Sequence, residues 1–593
     1  MKSIKTTLIV MGLLMGQWLL AQQVIITSEA EVKLTGDVNV VLQDMSLVNK
    51  STLDGAGGVV KFNPITTERI LETNTPVFFN GFNLGDYGGN FTLYGSLEVN
   101  DLGISANSNF TIADTSGLLI NTSIASMGNL FVESGGSLII KPAVTSPGVV
   151  TLYRNTTFDN TTGKYSVVGS PIAAAALSDL GVNAQSWIFE YDESTPYGED
   201  GSDRFQTPSE SNMIPGKGYF SAFTGDENGI VVFYGTPNYK NVQYAVTLTD
   251  NATDASDVEG FNLLSNPFTS PISFDQFMIV NTDVLSEETI WIWDDYSSNS
   301  GGGDASSDYI TISNLGNTDS RGERLSDWDG SINVGQGFFI KADENNNVVF
   351  NHAMKTHDGN DDASYYRVNE SEVERYWVSI ASDKGARGSN MLVGFTDAAT
   401  AGFDRKYDAS KLGTGFSVYS LMGDRKLAIQ GLPVNWLNKQ ADQSIALGIY
   451  VPEAGDYTLN LQESTNPQSE LLYLNDHLSG RSVDLFKESY SFHSEAGTYN
   501  DRFSLSSSPL STSTILGLQS HQLDLVVYGI SGAIRVRSEV TGHLTIYTME
   551  GKKIMENTLR VGEMEVPVPK GGLYIATVAN KDGNASYKVL VKH

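Results

Sequence analysis

From Val24 to about Thr157 the chain is written in short runs that alternate apolar and polar residues. Val38-Asn39-Val40, Phe91-Thr92-Leu93 and Phe110-Thr111-Ile112 are examples, separated by Gly, Asn, Ser and Asp. A period of two sends successive side chains to opposite faces of a strand, so each run predicts a short half-buried strand. A loose unit recurs in Gly95-Ser96-Leu97-Glu98-Val99, Gly128-Asn129-Leu130-Phe131-Val132 and Gly136-Ser137-Leu138-Ile139-Ile140. Glycine turns the chain and the alternating residues line a core, which is the logic of stacked rungs. The uneven spacing of the units predicts an irregular β-solenoid-like domain over 22–160, in preference to a sandwich.

Over 161–357 the chain aligns with itself. Tyr165-Ser166-Val167-Val168-Gly169-Ser170-Pro171-Ile172 matches Phe261-Asn262-Leu263-Leu264-Ser265-Asn266-Pro267-Phe268. Trp187-Ile188-Phe189-Glu190 then matches Trp291-Ile292-Trp293-Asp294, and Gly218-Tyr219-Phe220 matches Gly337-Phe338-Phe339. Ordered matches of this kind predict two β-sandwich-like units that superpose, with Trp187 and Trp291 in a shared core role. A polar linker is expected at 358–374. A further β-sandwich-like domain follows at 375–505, carried by runs such as Tyr376-Trp377-Val378-Ser379-Ile380. The stretch 506–521 is rich in Ser and Thr and reads as a second linker. The last segment, 522–593, has strand signals of its own: Ile534 and Val536 alternate with arginines, and Tyr587, Val589 and Val591 alternate with polar residues and Leu590. The expected fold class is all-β throughout.

Composition sharpens this picture in three places. The formal charge of the 593 residues is −31, which opposes binding to nucleic acid or anionic lipid. The last 71 residues depart from that balance with nine basic and seven acidic residues, so the tail is expected to meet a different partner from the body. There is no cysteine, which removes disulfides, thiolate metal sites and lipid attachment through an N-terminal cysteine. At the start, Lys2 and Lys5 precede the apolar run Leu8 to Ala21, the pattern of a secretory signal peptide over 1–21. Its 14 residues fall short of the roughly 20 that a spanning helix needs, and no later segment comes closer.

The tail resembles the type A C-terminal sorting domain of type IX secretion system cargo from Bacteroidota. The residues that carry the likeness are Leu544-Thr545-Ile546-Tyr547 running into Gly551, then Gly571-Gly572-Leu573-Tyr574-Ile575, and finally Tyr587-Lys588-Val589-Leu590-Val591. The resemblance covers about an eighth of the chain. It implies a small β-sandwich recognised by the outer-membrane export machinery, with Gly551, Gly572, Tyr574, Lys588, Val589 and Val591 as the sorting signal. It further implies a protein that crosses the periplasm and ends secreted or on the outer cell surface. The middle is similar to regions of other large cargo proteins of that system through Asn266-Pro267-Phe268, Gly335-Gln336-Gly337-Phe338-Phe339, Leu392-Val393-Gly394-Phe395 and Asp501-Arg502-Phe503.

Motifs of chemistry are sparse. The seven histidines show no metal-ligand spacing, and neither a nucleophile elbow nor a phosphate-cradling loop is present. Glycoside cleavage needs only two carboxylates at no fixed sequence spacing, so 69 acids leave it open. Asp358-Gly359-Asn360-Asp361-Asp362 begins like a calcium loop but places Ala363 where glycine is required and Asn369 where a closing Glu belongs. No cofactor is therefore expected, with structural calcium the one metal left open. Trp291, Trp293 and Tyr296 beside Asp294 and Asp295 form a cluster that could stack on sugars or pack a core, and core packing is favoured. The expected function is a non-enzymatic adhesion or assembly protein at the cell surface. A glycan-binding module and a carbohydrate-active enzyme are the alternatives, and surface glycans or other extracellular proteins the expected body partners.

Overall fold

A computed structural model describes residues 23–26, 31–34, 38–64, 68–85, 88–126, 128–156, 165–180, 187–198, 202–222, 229–249, 258–293, 309–318, 327–328, 330–357, 365–367, 373–413, 415–434, 436–438, 443–467, 471–510, 525–538, 540–548, 552–580 and 583–591. The signal-peptide segment 1–21 lies outside them, as do Gly551, the calcium-like run 358–362 and the trio Asp294, Asp295 and Tyr296. The protein is all-β, with one α-helix among the described residues. Two compact units are distinguished: the described residues of 1–436, 448–468 and 489–499 form one, and those of 437–447, 469–488 and 500–593 the other.

The first unit opens as a parallel β-solenoid with two sheets. Gln23–Ile26, Ser46–Asn49, Arg69–Thr73, Asn90–Tyr94, Asn109–Ile112, Asn129–Val132 and Val150–Asn155 follow one another in the first sheet. Thr52–Asn63, Val77–Leu84, Ser96–Ile104, Gly117–Ser126 and Ser137–Ile140 do so in the second. Register shows why the sequence units look unevenly spaced. Ser96, Gly117 and Ser137 are aligned in one sheet, whereas Asn90, Asn109 and Asn129 are aligned in the other. The Gly95 and Gly136 units belong to the second sheet and the Gly128 unit to the first, so the three sampled both sheets of a coil that returns every 19 to 24 residues.

Inward positions hold the apolar residues. Phe62, Phe82, Phe91 and Phe110 are fully buried and form a contiguous ring cluster with centroids 4.7–5.4 Å apart. Outside, amides form ladders: Asn129 Nδ2 donates to Asn109 Oδ1 at 2.8 Å, and Asn109 Nδ2 to Asn90 Oδ1 at 2.8 Å. Each repeat satisfies the polar group of the next, which lets stacked rungs tolerate identical polar residues.

A parallel stack must end somewhere, and an unpaired edge invites association. Here the duplicated region covers both trailing edges. Ile230–Gly235 pairs antiparallel with Val150–Asn155 in the first sheet. In the second, Leu138 N donates to Thr269 O and Thr269 Oγ1 to Leu138 O, each at 2.8 Å.

The two copies share one strand order. Tyr165–Val168, Tyr219–Ala222 and Ile188–Tyr191 lie in the sequence first, last, middle, and so do Phe261–Ser265, Gly337–Lys341 and Thr289–Trp293. Pairing confirms the alignment at both ends, with Val167 opposite Phe220 and Leu263 opposite Phe339. Between the copies the contacts are reciprocal: Val168 bridges Gln336, and Leu264 bridges the equivalent Lys217. Gly169 and Ser265 face each other across this pseudo-twofold. A Cβ on Gly169 would fall 1.7 Å from Ser265 Oγ, so only one of the two equivalent positions has room for a side chain.

The central Trp match is out of register. Phe189 lies opposite Phe220 while Trp291 lies opposite Phe339, so Phe189 and not Trp187 is the structural counterpart of Trp291. Trp291 is fully buried and Trp187 is 63% exposed, which corrects the expectation of a shared core role. The second copy also carries the helix, Phe274–Asn281, capped by Ser273 Oγ accepting Gln276 N at 3.3 Å. Its Phe277 and Met278 fill that copy's own core.

After the duplicated region, strands of the first unit run in the order Ser417–Met422, Arg425–Leu432, Met391–Phe395, Glu374–Ser382, Gly455–Thr465, Tyr490–Ser494. Within the expected linker 358–374, Tyr365–Arg367 pairs with Asp327–Trp328. The second unit contains Tyr473–Asp476 paired with Arg481–Asp484 and with residues 503–506, locked by Arg502 on the buried Asp476 at 3.1 Å. It also contains the C-terminal sandwich. The head of the expected 506–521 linker is anchored within the same unit, where Ser507 Oγ donates to Leu437 O at 2.6 Å.

Candidate functional site

The C-terminal sandwich is built from two antiparallel sheets. Leu525–Ile530, Ala533–Ser538 and Gly562–Pro567 make one; Lys553–Leu559, Gly542–Thr548, Gly572–Asn580 and Gly583–Val591 make the other. Alternation decides the core: Ile534, Val536, Leu544, Ile546, Val566, Val578, Val589 and Val591 all point inward. The final strand is an edge strand of its sheet and pairs along its whole length with Gly572–Asn580. Tyr574 sits opposite Val589 and Gly572 opposite Val591, and with Lys588 opposite Ile575 five of the six sorting-signal residues are brought onto one strand pair. The Tyr574 ring is buried and its hydroxyl donates to Lys570 O at 2.5 Å. Gly572 has φ 152°, a backbone conformation that L side chains rarely adopt. Lys588 is exposed on the opposite face from Val589. Gly551 lies outside the described residues.

Outer positions of this strand pair are not all polar. Leu573 and Leu590 are directly opposed and 39% and 57% exposed. Where the first sheet meets the last strand the backbones approach so closely that a Cβ on Gly529 would lie 1.8 Å from Leu590 O, which explains glycine in an otherwise apolar strand.

In the first unit the aromatic and acidic residues separate. Trp291 Nε1, fully buried, donates to Ser410 O at 2.9 Å, and Trp293 Nε1, partly buried, to Tyr165 O at 3.1 Å, so both indoles have carbonyl partners. Trp293 packs edge-on against Phe220 and Tyr309, with centroids 5.3 and 5.1 Å away. These rings belong to the seam between the copies. Buried carboxylates are likewise tied into the backbone: Glu193 accepts from Thr249 N at 3.1 Å and Gly260 N at 3.0 Å, and Glu287 accepts from Ser410 N at 2.7 Å. Burial pushes the Asp408 carboxyl up to about 7, although Asp404 N and Gly431 N both donate to it. Among the described residues no group of three or more His, Asp or Glu side chains could hold a metal ion.

A different surface emerges on the outer face of the first solenoid sheet, which the sequence pattern did not single out. Register aligns Thr111, Phe131, Thr151 and Tyr234 across four adjacent strands. Two residues further along each strand, Tyr153 and Val232 form a parallel row, with Tyr94 at the corresponding place in Asn90–Tyr94. Tyr234 is 69% exposed, and Tyr94 and Val232 are exposed as well. Phe131 and Tyr153 stack at 6.5 Å with 23° between their planes. Glu133, Tyr153, Arg154 and Asn333 line a shallow pocket at the rim. Burial, reinforced by Glu68 and Glu133, holds the Tyr94 hydroxyl above its ordinary pKa. A signal was present in the sequence: Phe131 and Tyr153 stand at the polar phase of their own strands, where alternation calls for solvent-facing residues.

Comparison with known proteins identifies one family. Residues 90–506 match the model of a domain of unknown function, DUF8693. That span is more than half of the chain, and the chain belongs to this family. It takes in the solenoid from Asn90–Tyr94 onward, both copies and the region after them, and leaves the earlier strands and the C-terminal sandwich outside. No curated protein matches the chain.

Proposed function

We propose that this DUF8693-family protein is an exported, non-enzymatic protein of the cell surface or surroundings, with a C-terminal sandwich that acts as a type IX sorting domain. The observation that carries the reading is the strand pair Gly572–Asn580 and Gly583–Val591. It unites Gly572, Tyr574, Lys588, Val589 and Val591, the residues in which the tail resembles such domains. A recognised domain must first fold, and this one has a core of its own drawn from all seven strands. The apolar run after Lys2 and Lys5 supports entry into the periplasm, and the sandwich then supplies the address for the outer membrane. The body, a solenoid continued by β modules, is the part left to act outside, in adhesion or extracellular assembly.

The test compares extracellular with periplasmic protein for the full-length chain and for a truncation ending near Ser520. Retention of the truncated form in the periplasm is expected. Equal secretion of both forms refutes the sorting role. Replacing Tyr574 with Ala removes a buried ring and is expected to cost about 3 to 5 kcal/mol, enough to unfold a small module and reduce export without touching the body.

A further inference from the structure

We infer that the outer face of the first solenoid sheet is a binding platform for a linear neutral polysaccharide. The argument begins with geometry. From Asn90–Tyr94 to Ile230–Gly235 the face spans five neighbouring strands, roughly 19 Å at the usual strand spacing of about 4.8 Å. Phe131, Tyr153 and Tyr234 stand on three consecutive strands, alternating between the two rows at one strand spacing per ring, comparable to the rise of one pyranose unit in an extended glycan, and Tyr94 lies two strands before Phe131. A repeating ligand is the natural match to a repeating surface.

Chemistry narrows the occupant. Tyrosine offers an apolar ring with a polar tip, suited to the C–H faces and hydroxyls of a sugar and kept wet at little cost. Thr111 and Thr151 place hydroxyls between the rings at the same strand level. Charge decides between glycans. Glu133 lies on this face within electrostatic reach of Tyr94, and the whole chain carries −31, so a uronate or sulfated polymer is repelled while a neutral one is not. The platform is independent of how the protein is exported, so it stands or falls apart from the sorting reading.

Native affinity electrophoresis of the full chain, with hydroxyethylcellulose, xylan or laminarin in the gel and alginate as the polyanion, tests the assignment. At least one neutral polymer should retard the protein and alginate should not. Tyr153→Ala and Tyr234→Ala should each weaken binding about tenfold, Tyr234→Phe should bind as the parent does, and Trp187→Ala, an exposed indole elsewhere, should leave retardation unchanged. Unaltered thermal unfolding of Tyr234→Ala shows that its loss is one of binding. No retardation by any neutral polymer overturns the assignment. Retardation that survives both tyrosine changes also overturns it, as does a Tyr234-dependent dimer in sedimentation, which would make the face a contact between copies.

Discussion

The two copies of the duplicated region share strand order, end-to-end pairing and a reciprocal contact, yet they bury different surfaces. The first copy gives its Val168, Ile172, Leu180, Tyr219 and Phe233 to the solenoid core. The second encloses a core of its own, with Phe277 and Met278 from the helix set against Ile290, Ile310, Phe338 and Phe350. The first copy therefore shares the solenoid's core, whereas the second caps the other sheet through Thr269 and keeps a core of its own. Strand order survives duplication because it depends on local pairing; burial does not, because it depends on what each copy is pressed against.

The sharpest way to break this comparison is through the two tryptophans. Trp291→Ala removes a fully buried indole and its bond to Ser410 O, and is expected to destabilise the second copy by about 3 to 5 kcal/mol in chemical denaturation. A cost close to that of a surface change would show that the aromatic cluster at the seam between the copies lacks the tight packing described.

Next in size is the pseudo-twofold contact. Gly169→Ser sets two side chains into the space of one and should cost about 1 to 3 kcal/mol. Combining it with Ser265→Gly moves the side chain to the other side of the axis and should restore most of the loss. A double variant as unstable as the sum of the two singles would argue against equivalence of the positions.

A subtler difference lies at the junction of the second copy with the solenoid. Lys355 Nζ donates to Tyr239 O at 2.8 Å and sits 4.0 Å from the Phe268 ring centroid. Burial pushes its pKa down to about 7, against about 10.4 in an unfolded chain. Between those values the unfolded chain binds the extra proton, so native stability should rise with pH from about 7 toward 10.4. Lys355→Met should flatten that rise in melting temperatures measured across the window; an unchanged slope would assign the effect elsewhere. Smallest of all, Trp187→Ala should change stability by less than about 0.5 kcal/mol, since the side chain is mostly exposed.

Much of this fold is legible along the chain. Alternation at Phe91-Thr92-Leu93 and Phe110-Thr111-Ile112 identifies strands and their inner faces, and Phe91 and Phe110 are indeed core. The duplication is legible where pairing is strict, at Val167 and Leu263 and again at Phe220 and Phe339. It misleads at Trp187, because a tryptophan two residues out of register still resembles one in register when only letters are compared. The outer solenoid platform is hidden for a related reason: its rows join residues about 20 apart on successive rungs, and no local window contains them.

The sequence by itself determined which residues form strands, which face of each is apolar and how the copies are ordered, because strand periodicity and turn residues act over a few neighbours. Only the tertiary structure decided which rungs align, which copy shares the solenoid's core and which tryptophan is buried. Those outcomes depend on contacts between segments far apart in the chain, where a side chain's environment is set by the surface it meets and not by its neighbours in sequence.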